Sequence, residues 1–204
     1  MNFGDCQLLS ALTPAVPALI ALVGVVVGGW LGARLNFRNQ FRLATLQSRQ
    51  QSYAAIMGKK FLITQLYVSR FEALAYSDYH ESLWYLAGAP KESLDLEEAR
   101  RWMRKSEDFA IDIAKANQSL IESVGTARAT YPSTAELEEL TERVYHFKIP
   151  IISPPPQGAD RTALDSWKAQ VIPALQQVVE REYAEPINAL LKCLKLHIND
   201  PVRQ

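Results

Sequence analysis

Pro14 to Ala33, PAVPALIALVGVVVGGWLGA, are twenty mostly apolar residues in a chain with no charged side chain between Cys6 and Ala33, and Arg34, Arg38 and Arg42 follow at once. At a rise of about 1.5 Å per residue, a helix of that length covers the roughly 30 Å hydrocarbon core of a bilayer. The run predicts one transmembrane helix over 14–35, preceded by a short extracytoplasmic segment, 1–13. Pro14 and Pro17 suit a first turn whose donors are unpaired anyway, and Trp30 suits an interfacial aromatic.

Orientation follows from the basic flank. Arg34, Arg38, Arg42 and Arg49 come after the run and only Asp5 is charged before it, so the arginines are expected at the surface of the anionic inner leaflet. A cleaved signal peptide wants a basic n-region, yet Met1 to Leu9 has neither Lys nor Arg. An N-terminal anchor before an Arg-rich helix looks like many small bacterial membrane proteins. The expected location is the plasma (bacterial inner) membrane, N-terminus outside and residues 36–204 cytoplasmic.

Charge is divided along the chain. Cys6 to Phe71 holds seven basic residues and no acid, which leaves Glu72 to Gln204 with a net charge of −6 although the whole chain is neutral. A basic stretch beside a membrane and an anionic remainder argue against a nucleic-acid partner. Cys6 and Cys193 lie on opposite sides of the run, so they cannot pair within one chain, while Cys6 could bridge two copies on the oxidising side.

Past the run the periodicity is helical. Leu35 to Ala87 has one glycine, Gly58, and no proline; with apolar residues at Leu46, Tyr53, Ile56, Ile63, Leu66, Phe71 and Leu74, it predicts a stalk helix over about 36–87 running straight on from the membrane. Gly88, Ala89 and Pro90 end it. Asp95 and Glu98 read as the cap of a helix over 95–130 with a stripe from Ala99 and Trp102 to Leu120, and Ser133 with Glu136 as the cap of another over 134–147. The segment 149–158, IPIISPPPQG, reads as a stiff linker. A last helix over 162–198 carries Pro173 and Pro186, where bends are expected. The fold class is all-α: a transmembrane helix continuing into an antiparallel bundle of three or four helices.

Chemistry-bearing patterns are weak. Cys193 and His197 stand four apart but have no second ligand pair nearby. His80 with Asp78 and Glu81 does not converge on one helical face. Glu142 and His146 lack the repeated Glu-x-x-His of carboxylate-bridged metal bundles. Arg100, Arg101, Arg104 and Lys105 alternate with Glu97, Glu98, Glu107 and Asp108, as on a solvated face. No phosphate loop, dinucleotide fingerprint, nucleophile elbow or zincin motif occurs. The expectation is a non-enzymatic protein with no cofactor and no small-molecule substrate.

One pattern inside the run points to association. Gly24, Gly28 and Gly32, with Ala21 extending them, form a row of small residues of the kind that lets membrane helices approach closely. The reading is a membrane-anchored interaction or scaffold protein whose partner is a second copy or another membrane protein. The alternative is a membrane effector or channel-forming subunit whose bundle controls assembly. The lack of charged or polar lining from Ala15 to Ala33 weighs against it.

Overall fold

The computed structural model describes residues 15–146 and 151–198, with side chains from Ile20 onward. The expected N-terminal segment 1–13 with Cys6, Pro14, Phe147 at the expected end of the third helix, and Ile149 and Pro150 of the linker lie outside the described residues.

All described secondary structure is helical. Helix α1 spans Ala15–Leu86, α2 Leu94–Thr130, α3 Ala135–Tyr145 and α4 Arg161–Val179; a π-helical turn, Glu180–Ala184, leads into α5, Glu185–His197. The chain falls into two compact units, one holding the chain up to Gln47 and the other spanning Ser48–Asp200. The packed domain therefore begins at Ser48 and not at residue 36. From Ile20 to Leu43 every α1 side chain is exposed, and no described residue covers it.

Helix α1 ends for a local reason. Gly88 takes φ +82°, and its N–H reaches the Tyr85 carbonyl while the Ala89 N–H reaches that of Trp84, both at 3.0 Å. These paired bonds satisfy carbonyls that the helix would otherwise leave open, and glycine is the residue that adopts such a φ without strain. Ala89 also lies at positive φ, 54°, just before Pro90.

Two expected caps are displaced. Helix α2 starts one residue early, with Ser93 at its N-cap making no side-chain bond, and the Asp95 carboxylate faces His80 instead of capping the helix. Helix α3 is capped by Thr134, which accepts from the Leu137 N–H at 3.1 Å; the Ser133 hydroxyl donates to Glu138, and the helix stops at Tyr145. Asp160 caps α4 by accepting from the Ala163 N–H at 2.8 Å.

The two prolines act differently. Helix α4 continues through Pro173. Before Pro186 the backbone widens: the Glu185 N–H bonds back five residues to the Glu180 carbonyl. A proline has no N–H for the carbonyl four residues earlier, here Glu182, and its ring presses on that group, so a wider turn upstream relieves both problems. Pro186 then sits in the first turn of α5, where no donor is needed.

One apolar cluster fills the second unit. Ile56, Ile63, Tyr67 and Phe71 of α1 meet Ile113, Leu120 and Val124 of α2, Leu137 and Leu140 of α3, Leu175 and Val179 of α4, and Ile187, Leu190 and Leu194 of α5. Helix α3 packs against both α5 and α2. Polar ties link α1 to α2 along their length: the Lys59 ammonium donates to the Ser119 carbonyl at 2.6 Å, the Asn117 amide to the Tyr67 hydroxyl at 3.0 Å, and the Ser77 hydroxyl to the Ala99 carbonyl at 3.0 Å. Positions on α2 fall as those on α1 rise. The described part of the Pro-rich segment lies along the helices, with Pro155 and Pro156 lining a hollow beside Ser82 and Tyr85, and the Trp167 indole donating to the Ser153 carbonyl at 3.2 Å.

Two leucines of α5 test this packing. Leu194 is 0% exposed and Leu196 is 71% exposed. Leu194→Ala should cost about 2–5 kcal/mol in chemical denaturation, and Leu196→Ala less than about 0.5 kcal/mol.

Candidate functional site

The apolar start of α1 is a bare helical surface. Gly24, Gly28 and Gly32 are exposed, and beyond the adjoining backbone of α1 itself a Cβ added to any of them would meet no described atom within 4 Å. Arg34, Arg38 and Arg42 are exposed, and the Arg34 guanidinium lies 5.4 Å from the centre of the Trp30 ring.

Arg49 does not belong with them. It is 3% exposed, and its guanidinium donates to the Thr130 carbonyl at 2.9 Å and the His197 carbonyl at 3.1 Å. The Tyr131 hydroxyl donates to the Arg49 carbonyl at 3.0 Å, and its ring lies under the guanidinium, 5.4 Å away. The expected membrane-surface role of Arg49 is thus replaced by an internal one. Thr130 and His197 close α2 and α5, so the cation meets the partly negative ends of two helices.

A second concentration of polar and aromatic groups lies along α1 and α2. His80 Nδ1 stands 3.0 Å from Asp95 Oδ1, so His80 joins α1 to α2. The Tyr79 hydroxyl donates to the Asp165 carboxylate, and the Lys168 ammonium lies 3.9 Å from the centre of the Tyr79 ring. Burial, then the bond to Asp165, pushes the Tyr79 phenol up. Burial raises the Asp78 carboxyl too, helped by the charge of Glu81.

One turn further along α1 a groove opens. Tyr76 and Trp102 stack with ring centres 4.8 Å apart, and the Lys105 ammonium lies 4.1 Å from the Trp102 ring centre. Glu72, Asp108 and Asp112 complete the lining of a space of about 350 Å³. Trp102 was legible as an apolar stripe residue and Asp108 as part of a charged face, but their meeting with Tyr76 depends on the pairing of α1 with α2.

Other candidates are used structurally. Cys193 is buried in the apolar cluster, which raises its thiol, and the His197 carbonyl serves Arg49. Glu142 and His146 form an exposed pair at 3.3 Å. Arg101 pairs with Glu98 at 3.1 Å. A buried relay with no sequence motif links Tyr183 to Tyr67, both phenols meeting the Asn117 amide, at 2.5 Å and 3.0 Å. Among the described residues, no three His, Cys, Asp or Glu side chains gather as metal ligands would. No family model, curated protein or solved structure matches the chain.

The buried phenols make stability sensitive to alkali. Burial pushes Tyr131 up to about 12 and raises Tyr183 further. An unfolded chain ionises its tyrosines near pH ~10 and the folded one holds these protons longer, so the stabilisation is complete below about pH 10 and is lost as pH rises towards about 12. Denaturation midpoints should fall steeply across that window. Tyr131→Phe should flatten the fall.

Proposed function

We propose that this chain is a single-pass membrane-anchored interaction protein without enzymatic activity, in which an N-terminal transmembrane helix carries an antiparallel helical bundle on the cytoplasmic side of a plasma (bacterial inner) membrane. One observation carries the reading. Helix α1 is long and apolar enough to cross a membrane, and its apolar stretch is exposed from Ile20 onward. A core helix of similar composition would be buried; this one leaves Ile20, Leu22, Val25 and Val26 to a solvent that favours them. Its backbone bonds are satisfied within the helix, as a segment in hydrocarbon requires.

Arg34, Arg38 and Arg42 support the orientation. Each adds about 1 kcal/mol of attraction to an anionic leaflet, and the Arg34 contact with Trp30 brings cation and aromatic together where the apolar run ends. Arg49 is not in this set. The open glycine row supports a homo-oligomer, since glycines that meet nothing within one chain leave room for the backbone of another helix.

Alkaline carbonate should leave the chain in the membrane pellet and detergent should release it. A reporter active only in the cytoplasm should be active when fused after Gln204. Release by carbonate would remove the anchor, and an inactive but expressed fusion would reverse the orientation.

Association is tested within the membrane. With a reporter of self-association fused to residues 10–40, Gly28→Ile should abolish the signal, and Val26→Ile, about 200° around the helix, should leave it. Because an added Cβ at Gly28 meets nothing in its own chain, a loss reports on a neighbouring helix. Equal signals for wild type and Gly28→Ile would remove the homotypic interface.

A further inference from the structure

We propose that the groove between α1 and α2 at Tyr76 and Trp102 is a docking site for an arginine side chain of a protein partner. This inference rests on the reading of the packed domain as a binding module, and it does not depend on membrane insertion. It starts from an occupant already present. Lys105 lays its ammonium 4.1 Å from the centre of the Trp102 ring, against which Tyr76 also stacks. A cation over an indole is held by the ring quadrupole, so the groove already shows which charge its aromatic wall attracts.

The carboxylates say the same. Glu72, Asp108 and Asp112 rim the groove against the single cation Lys105. Glu72 accepts from the Gln176 amide at 2.9 Å and Asp112 pairs with Lys115 at 3.3 Å, but Asp108 has no hydrogen bond or ion pair among the described residues. An arginine matches this wall better than the resident lysine. Its guanidinium is flat, less strongly hydrated than an ammonium, stacks on an indole, and presents a fork of donors to a carboxylate. A space of about 350 Å³ has room for one long side chain. Lys105 acts as a placeholder: its flexible stem lets the ammonium swing into water when the guanidinium arrives.

The test uses the full chain in micelles of a neutral detergent, so that no anionic lipid competes. The probe is the peptide acetyl-Gly-Ser-Arg-Ser-Gly-amide, carrying a dye for anisotropy, with a second peptide in which neutral citrulline replaces arginine. The chain has four tryptophans, so ¹⁵N-labelled indoles give a small spectrum in which the signal missing from Trp102→Leu is that of Trp102. The arginine peptide should shift that signal, and the citrulline peptide should not.

Trp102→Leu and Asp108→Asn should each weaken the arginine peptide about threefold to tenfold. Lys105→Met should tighten it about threefold by removing the placeholder, while Arg101→Met, which removes the same charge one turn away beside Glu98, should leave it within a factor of about two. Asp108 is exposed, so its substitution tests the site without disturbing the core. No binding, equal affinity for the citrulline peptide, an unchanged Trp102 signal, no effect of Asp108→Asn, or equal effects of Lys105→Met and Arg101→Met would each overturn the proposal. A failure in micelles sinks the groove and leaves the anchor standing, whereas carbonate extraction sinks the anchor and leaves the groove.

Discussion

Two helix ends and one charge meet at Arg49. The last carbonyls of α2 and α5 have no partner within their own helices, and both are taken by one guanidinium rising from α1. Burying a cation is costly unless its donors are satisfied, and two of the acceptors here are carbonyls that would otherwise be open themselves. Lysine could not serve both so well, because its donors sit on a single atom, whereas arginine's flat fork can reach two groups held apart. The Tyr131 hydroxyl closes the arrangement from the other side by donating to the Arg49 carbonyl. How far each of the three helices is turned about its axis is thereby set at the beginning of the packed domain.

From that fixed point α1 and α2 are matched residue by residue. Lys59 reaches Ser119, Tyr67 receives Asn117, Ser77 reaches Ala99 and His80 meets Asp95, so a slip of one turn would strand several polar groups at once. Apolar contacts alone tolerate such slips more readily than these ties do. The same matching brings Tyr76 against Trp102 and leaves the adjoining carboxylates at the rim. The groove on this pair of helices is therefore shaped by bonds made on either side of it.

Periodicity made the helices legible, since stripes such as Ile56, Ile63 and Phe71 recur at the helical interval and are buried as that interval implies. The stop at Gly88 was equally plain, because the φ it needs is one that glycine supplies freely. Arg49 was misread for a physical reason. Seven residues from Arg42 keep it on nearly the same helical face as that arginine, while two carbonyls that hold it lie 81 and 148 residues away, beyond the reach of any local pattern. The caps shifted because Ser133 and Thr134 are chemically close alternatives and because Asp95 had a better partner than its own backbone. The groove and the Tyr67–Asn117–Tyr183 relay were out of reach for a like reason: each needs two or three helices already in register.

The wide turn at Glu180–Ala184 has a consequence for what the chain tolerates in length. A π turn holds one residue more than the α turn it replaces, and one residue is about 100° of rotation. Deleting any single residue there would remove that extra rotation and turn everything downstream about the helix axis. Leu190 and Leu194 would be carried around the axis towards water, and the His197 carbonyl would swing away from the guanidinium it now meets. The segment is thus an angular adjustment built into the backbone that lets a helix interrupted by Pro186 still face the right way while Tyr183 and Ala184 stay buried.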